Sequence, residues 1–91
     1  MASQRTLIAG AQEACAVNTG TATSFSSATC VRLYNGTSTA RLVTVVAEQG
    51  GDVVGSFTIL GNSVEFLEKK PWECIFAAAN TVLGAKVGLT G

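Results

Sequence analysis

Between residues 29 and 91 the chain is cut into short apolar segments by Gly, Asn and Pro turns, and this rhythm limits it to an all-β fold. Residues 30–34 (CVRLY) alternate, with Val31 and Leu33 on one face and Arg32 and Tyr34 on the other. Asn35-Gly36 then marks a turn, since both residues tolerate positive φ. Residues 41–46 (RLVTVV) form a β-branched run that predicts burial on both faces. Gln49-Gly50-Gly51-Asp52 is the next turn, and residues 53–60 the next strand, with Phe57 and Ile59 on one side and Ser56 and Thr58 on the other. Gly61-Asn62 predicts a tight hairpin into residues 64–68 (VEFLE), which Pro71 stops because it cannot continue a ladder. Residues 74–78 and 85–89 complete the set. Strands at this spacing predict one small β-sandwich or partly open barrel of about six to eight antiparallel strands. Its expected core is Val43, Val45, Phe57, Ile59, Phe66 and Ile75.

Residues 1–28 differ in character. They are rich in Ala, Thr, Ser and Gly, and residues 18–27 (NTGTATSFSS) hold Phe25 as their only large apolar group. Ordering such a stretch costs roughly 1–2 kcal/mol per residue, which its own side chains cannot offset. We therefore expect residues 1–28 to form an extended arm or edge strands that dock on a neighbour, with residues 29–91 as the sandwich. The competing expectation is an internal strand with Phe25 in its own core. Residues 13–17 alternate weakly as a first strand, while residues 7–16 also suit a turn or two of helix.

Composition narrows the class of function. A chain of 91 residues is one domain. At this size a monomer buries roughly 60–65% of its unfolded surface and is marginal. Hydrophobic residues make up 47% and charged residues only 13%, so the apolar excess needs a partner to cover it. Six basic and six acidic residues give zero net charge, and the longest basic run, Lys69-Lys70, is flanked by Glu68 and Glu73. That pattern argues against nucleic acid as a partner, because phosphate neutralisation needs clustered Lys and Arg. No apolar run is long enough to span a bilayer, and the apolar stretch after Arg5 is too short for a signal-peptide core, so we expect synthesis in a cytoplasm.

Chemistry-bearing residues are sparse. There is no His, and Cys15, Cys30 and Cys74 match neither a zinc pattern nor a disulfide framework. They read as three reduced, partly buried thiols, the alternative being a Cys15–Cys30 disulfide. Glu65 and Glu68 fall on opposite faces of a strand and read as charges guarding an edge. We expect no enzyme activity, no catalytic, cofactor or metal residues, and no cofactor. The candidate partner-contact residues are Trp72, Tyr34, Phe25, Lys69 and Lys70. Trp72, between Pro71 and Glu73, is either an anchor for a partner or a plug over one end of the sandwich. The segment Glu68-Lys69-Lys70 otherwise reads as a solvated edge.

Residues 20–29 (GTATSFSSAT) through Val31-Arg32-Leu33-Tyr34-Asn35 resemble small virion structural proteins of tailed phages, especially marine cyanophages. So do residues 54–59 (VGSFTI), Glu68-Lys69-Lys70-Pro71, Ile75-Phe76-Ala77 and residues 84–87 (GAKV). The resemblance spans roughly residues 20–90. It departs from the family at Trp72-Glu73-Cys74, where small polar residues are usual. It implies a β-rich head decoration, cement or accessory subunit without catalytic residues. The expected partners are the major capsid protein or neighbouring structural subunits, and the expected location is the virion. Self-association as a homo-oligomer, a trimer above all, follows, with neither nucleic acid nor membrane as partner. Alternatives are a tail or adaptor subunit, or a glycan-binding sandwich using Trp72 and Tyr34.

Overall fold

The computed structural model describes residues 5–90, with side chains from residue 8 to residue 88. Residues 1–4 of the expected arm and the terminal Gly91 lie outside the described residues. The fold is all-β, as the turn rhythm requires. Its strands are β1 (Arg5–Ile8), β2 (Glu13–Ala14), β3 (Cys30–Asn35), β4 (Arg41–Val46), β5 (Val53–Ile59), β6 (Val64–Glu68), β7 (Cys74–Ala77) and β8 (Val82–Thr90). Thr19–Thr21 is a 3-10 turn, the one helical element among the described residues. One sheet runs β1-β8-β3-β6, with β2 also on β8; the other runs β5-β4-β7. The two sheets pack as a sandwich and do not close into a barrel.

The sheets are two halves of one three-armed ribbon. β3 continues into β4, β5 into β6, and β7 into β8, with the β3–β4 arm in the middle, and each arm keeps its neighbour through both halves. The ribbon is folded over at residues 36–40, 60–63 and 78–81, so that one face of it becomes the core. Asn35 pins this crease from a fully buried position. Its Nδ2 donates to the carbonyls of Thr39 (2.7 Å) and Ile59 (3.4 Å). Its Oδ1 accepts from the N–H (3.2 Å) and hydroxyl (2.9 Å) of Thr37. A Cβ on Gly61 would collide with the backbone of Ser38, so glycine lets the two crease loops touch. Two sequence expectations are corrected here. Asn35-Gly36 and Gly61-Asn62 are not hairpin turns, because β3 and β4, like β5 and β6, lie in different sheets. Positive φ occurs only at Asn62 among these four residues. Residues 49–52 do close a hairpin, with Gly50 at φ 76° and Ala47 N–H donating to the Asp52 carbonyl at 2.8 Å.

The N-terminal segment forms a wall of this sandwich. β1 and β2 line one edge of β8. The chain then crosses to the edge of β7, where Ala16 bridges Phe76 and Thr23 bridges Ile75. Ala22 packs with Val46, Cys74 and Phe76 on the outside of the second sheet. That cover buries Val46 on the outer face of β4, whereas Leu42 on the same face stays 48% exposed, so the expected two-faced burial holds for residues 43–46 alone. Residues 25–27 then turn back in a left-handed conformation (φ 52°, 58° and 57°) that non-glycine residues rarely adopt. Thr23 Oγ1 accepts the Phe25 N–H at 3.1 Å, and Ser24 Oγ accepts the Ser27 N–H at 3.1 Å. These local bonds are the alternative to ladder pairing that Ser and Thr offer. The turn drives the Phe25 ring onto Gly84, where a Cβ would stand 2.6 Å from the ring. Phe25 is only 4% exposed. The low-complexity stretch is thus tied into its own domain rather than extended as an arm, and Phe25 is a core residue rather than a partner contact.

Val43, Val45, Ile59 and Ile75 are buried as expected, and Phe57 is half-buried against the same cluster. Phe66 is not in the core; it is 46% exposed. On β6 the inward residue is Leu67, opposite Val31, while Phe66 stands opposite Arg32 on the outer face. The segment VEFLE offers apolar residues in both phases, and size favoured the wrong one. Phe66→Ala should therefore lower unfolding free energy by less than about 1 kcal/mol, against about 2–5 kcal/mol for Ile59→Ala. Urea denaturation of both variants checks the pair.

Candidate functional site

Exposed apolar side chains concentrate on one arm of the folded ribbon. Val53, Val54, Leu60, Val64 and Phe66 are all well exposed, and all lie on β5, β6 or the crease between them. This arm forms an outer border of both sheets. On the outer face of the first sheet, Val64 and Phe66 stand beside Tyr34 and Arg32 of β3. The result is an apolar surface that wraps from the border onto a sheet face, with Arg32 as its one cation on β3. Sequence reasoning missed Val53, Val54, Leu60 and Val64 as surface residues. The available signal was the absence of any charged residue from position 53 to position 64.

At the end of the sandwich away from the crease lies a groove of about 560 Å³, lined by Cys30, Glu68, Lys69, Lys70, Glu73 and Val87 among others. Lys69 is buried, and its Nζ donates to the carbonyls of Ala28 (2.7 Å) and Lys70 (3.3 Å). Burial pulls its ammonium below the usual lysine range, partly offset by the neighbouring Cys74 and Glu73. With Lys86 Nζ, which donates to the Ser26 carbonyl at 3.0 Å, Lys69 clamps the left-handed turn. It is a structural cation, not the solvated partner contact expected from Glu68-Lys69-Lys70. Glu73 Oε1 accepts the Lys70 N–H at 2.7 Å and shapes the loop.

All three cysteines are free and buried. Burial pushes the Cys15 thiol up to about 11. Burial, with Glu68 adding to it, raises Cys30 as well. Neutral thiols are poor nucleophiles and poor metal ligands. Among the described residues no cluster of His, Cys, Asp and Glu side chains is suited to hold a metal ion.

Trp72 is 63% exposed, with Lys70 Nζ 5.8 Å from the ring centroid. That exposure removes the plug reading and leaves the ring available to a partner. Tyr34 is half-buried next to the crease, whereas Trp72 lies beyond the far end of β3 and β6. Four residue steps along β3 separate Tyr34 from Cys30, about 13 Å. The two aromatics cannot grip one sugar ring between them. Of the expected contact residues, Trp72 and Lys70 stand together and exposed, Tyr34 stands apart, and Phe25 and Lys69 are internal. Comparison with protein-family models, curated proteins and solved structures returned no match.

Proposed function

We propose that this chain is a non-enzymatic structural subunit of a tailed-phage virion, a decoration or cement protein that binds coat subunits through its exposed apolar arm. The observation that carries this reading is the concentration of Val53, Val54, Leu60, Val64 and Phe66 on one border of the sandwich. Burying such groups against another protein supplies association free energy at about 25 cal/mol per Å² of apolar area before the costs of association. The groove offers no activated nucleophile, and the charges around it are of mixed sign and engaged in holding loops. The virion setting rests on the sequence resemblance; the surface supports assembly of some kind. Trp72 with Lys70 at the end of the sandwich gives a second contact suited to a coat-protein loop.

The test is to add the purified chain to phage heads stripped of accessory proteins, then measure co-sedimentation and the temperature of DNA release. Saturable binding with a higher release temperature is the expected result. Absence of binding to heads, together with ring formation or attachment to tails by electron microscopy, would assign the chain to the tail instead.

A further inference from the structure

We infer that the β5 edge pairs antiparallel with the β5 edge of a second copy, about a two-fold axis at Phe57. The two three-stranded sheets then become one six-stranded sheet. This goes beyond the assembly reading above and holds whatever else the chain binds. It begins from the four sheet borders. β1 and β2 border the first sheet only as short, interrupted strands. The β7 border is bridged by Ala16 and Thr23. The β6 border carries Glu65 and Glu68, the usual guard against pairing. β5 alone is long, bordered on one side only, and free of charge. Its one irregularity is an extra residue, Val54, where the register shifts opposite Val45 and Val46. Residues 55–59 beyond it are regular.

Three residues in that regular stretch fit a second copy of the same strand. Phe57 faces inward at the border of the core and is only half-buried. On the axis it meets Phe57 of the second copy, which completes the cover of both rings. Ser56 and Thr58 face outward, and each falls opposite the other residue of the second copy, a hydroxyl pair favoured across strands. An antiparallel two-fold contact sets each strand against itself, so any charge near the axis meets a like charge. Between positions 53 and 64 there is none.

Sedimentation equilibrium of the full chain tests this, with circular dichroism as the check on folding. The wild-type chain is expected at twice the chain mass. Ser56→Lys with Thr58→Lys places like charges opposite each other in both cross-strand pairs, and should weaken self-association by about tenfold or more. Ser56→Lys with Thr58→Glu places opposite charges in those same pairs and should restore it. Should the double-lysine variant not fold, Ser56→Glu with Thr58→Glu serves in its place. It sets like charges in the same two cross-strand pairs and should weaken pairing as well. A monomeric wild type, a three-fold mass, unchanged pairing in the double-lysine or double-glutamate chain, or no recovery in the charge-opposed chain would overturn the inference. Lost self-pairing with intact binding to phage heads would leave the proposed function standing and remove this contact alone.

Discussion

A chain lacking residues 1–28 is expected not to fold. Those residues contribute Cys15, Ala22, Phe25 and Ala28 to the buried set, and they alone cover the outer edges of β8 and β7. Without them the Phe25 ring vanishes from above Gly84 and Leu33, and Lys69 loses the Ala28 carbonyl that receives its buried ammonium. Loss of a buried aromatic alone costs about 3–5 kcal/mol. An unpaired buried charge adds several more. Domains of this kind have only about 5–15 kcal/mol in hand. The fragment 29–91 should show no cooperative urea transition and collapsed amide dispersion by NMR. A fragment that folded would mean the three arms from β3 to β8 make a self-sufficient sandwich to which the N-terminal wall merely adds.

The second large effect concerns the pair Phe25 and Gly84. Phe25→Ala should destabilise the domain by about 3–5 kcal/mol, because the ring is fully enclosed and its neighbours cannot all collapse into the space. Gly84→Ala in the wild-type chain should also destabilise, by about 1–3 kcal/mol, since the added methyl meets ring atoms at 2.6 and 2.7 Å and Leu33 at 3.2 Å. In the Phe25→Ala background the same Gly84→Ala change should be close to neutral or favourable, as the methyl fills vacated space and alanine loses less backbone freedom. The coupling from a double-mutant cycle should therefore be of the same order as the Gly84→Ala penalty itself. Additive penalties would show that the ring does not rest on Gly84.

Much of the sheet structure was legible in the sequence because strand signals are local. The β-branched run of β4, the alternation of Val31 and Leu33, and the Gly50-Gly51 turn each act over a few residues. What could not be read depended on residues distant in the chain. Asn35 looked like half of a hairpin turn, yet its amide is fixed by the carbonyl of Ile59 on another strand. Phe25 lay in a stretch with no periodicity, and its burial depends on a glycine in β8. Lys69 looked solvated because its neighbours are charged, but its acceptor is the Ala28 carbonyl, 41 residues back in the chain beside the start of β3. Phe66 failed for a different reason: apolar residues in both phases of β6 leave its facing undetermined until Leu67 finds the core. The exposed apolar surface was half visible. Low charge pointed to apolar area left uncovered, and only the position of β5 and β6 at the border showed where it lies.

The crease also governs which changes of length this chain can tolerate. Between the pair Tyr34–Val64 in one half and Arg41–Ile59 in the other, one arm spends six residues and the other four. On these two arms odd-numbered residues face inward in both halves, from Val31 and Leu33 to Val43 and from Phe57 and Ile59 to Leu67, whereas the third arm changes phase at the crease, from Ala77 to Val82. Each half is therefore held in phase by its own ladder and not by the loop that leads into it. A residue inserted inside a crease loop should be absorbed there. One inserted within a strand would turn the core residues beyond it to solvent.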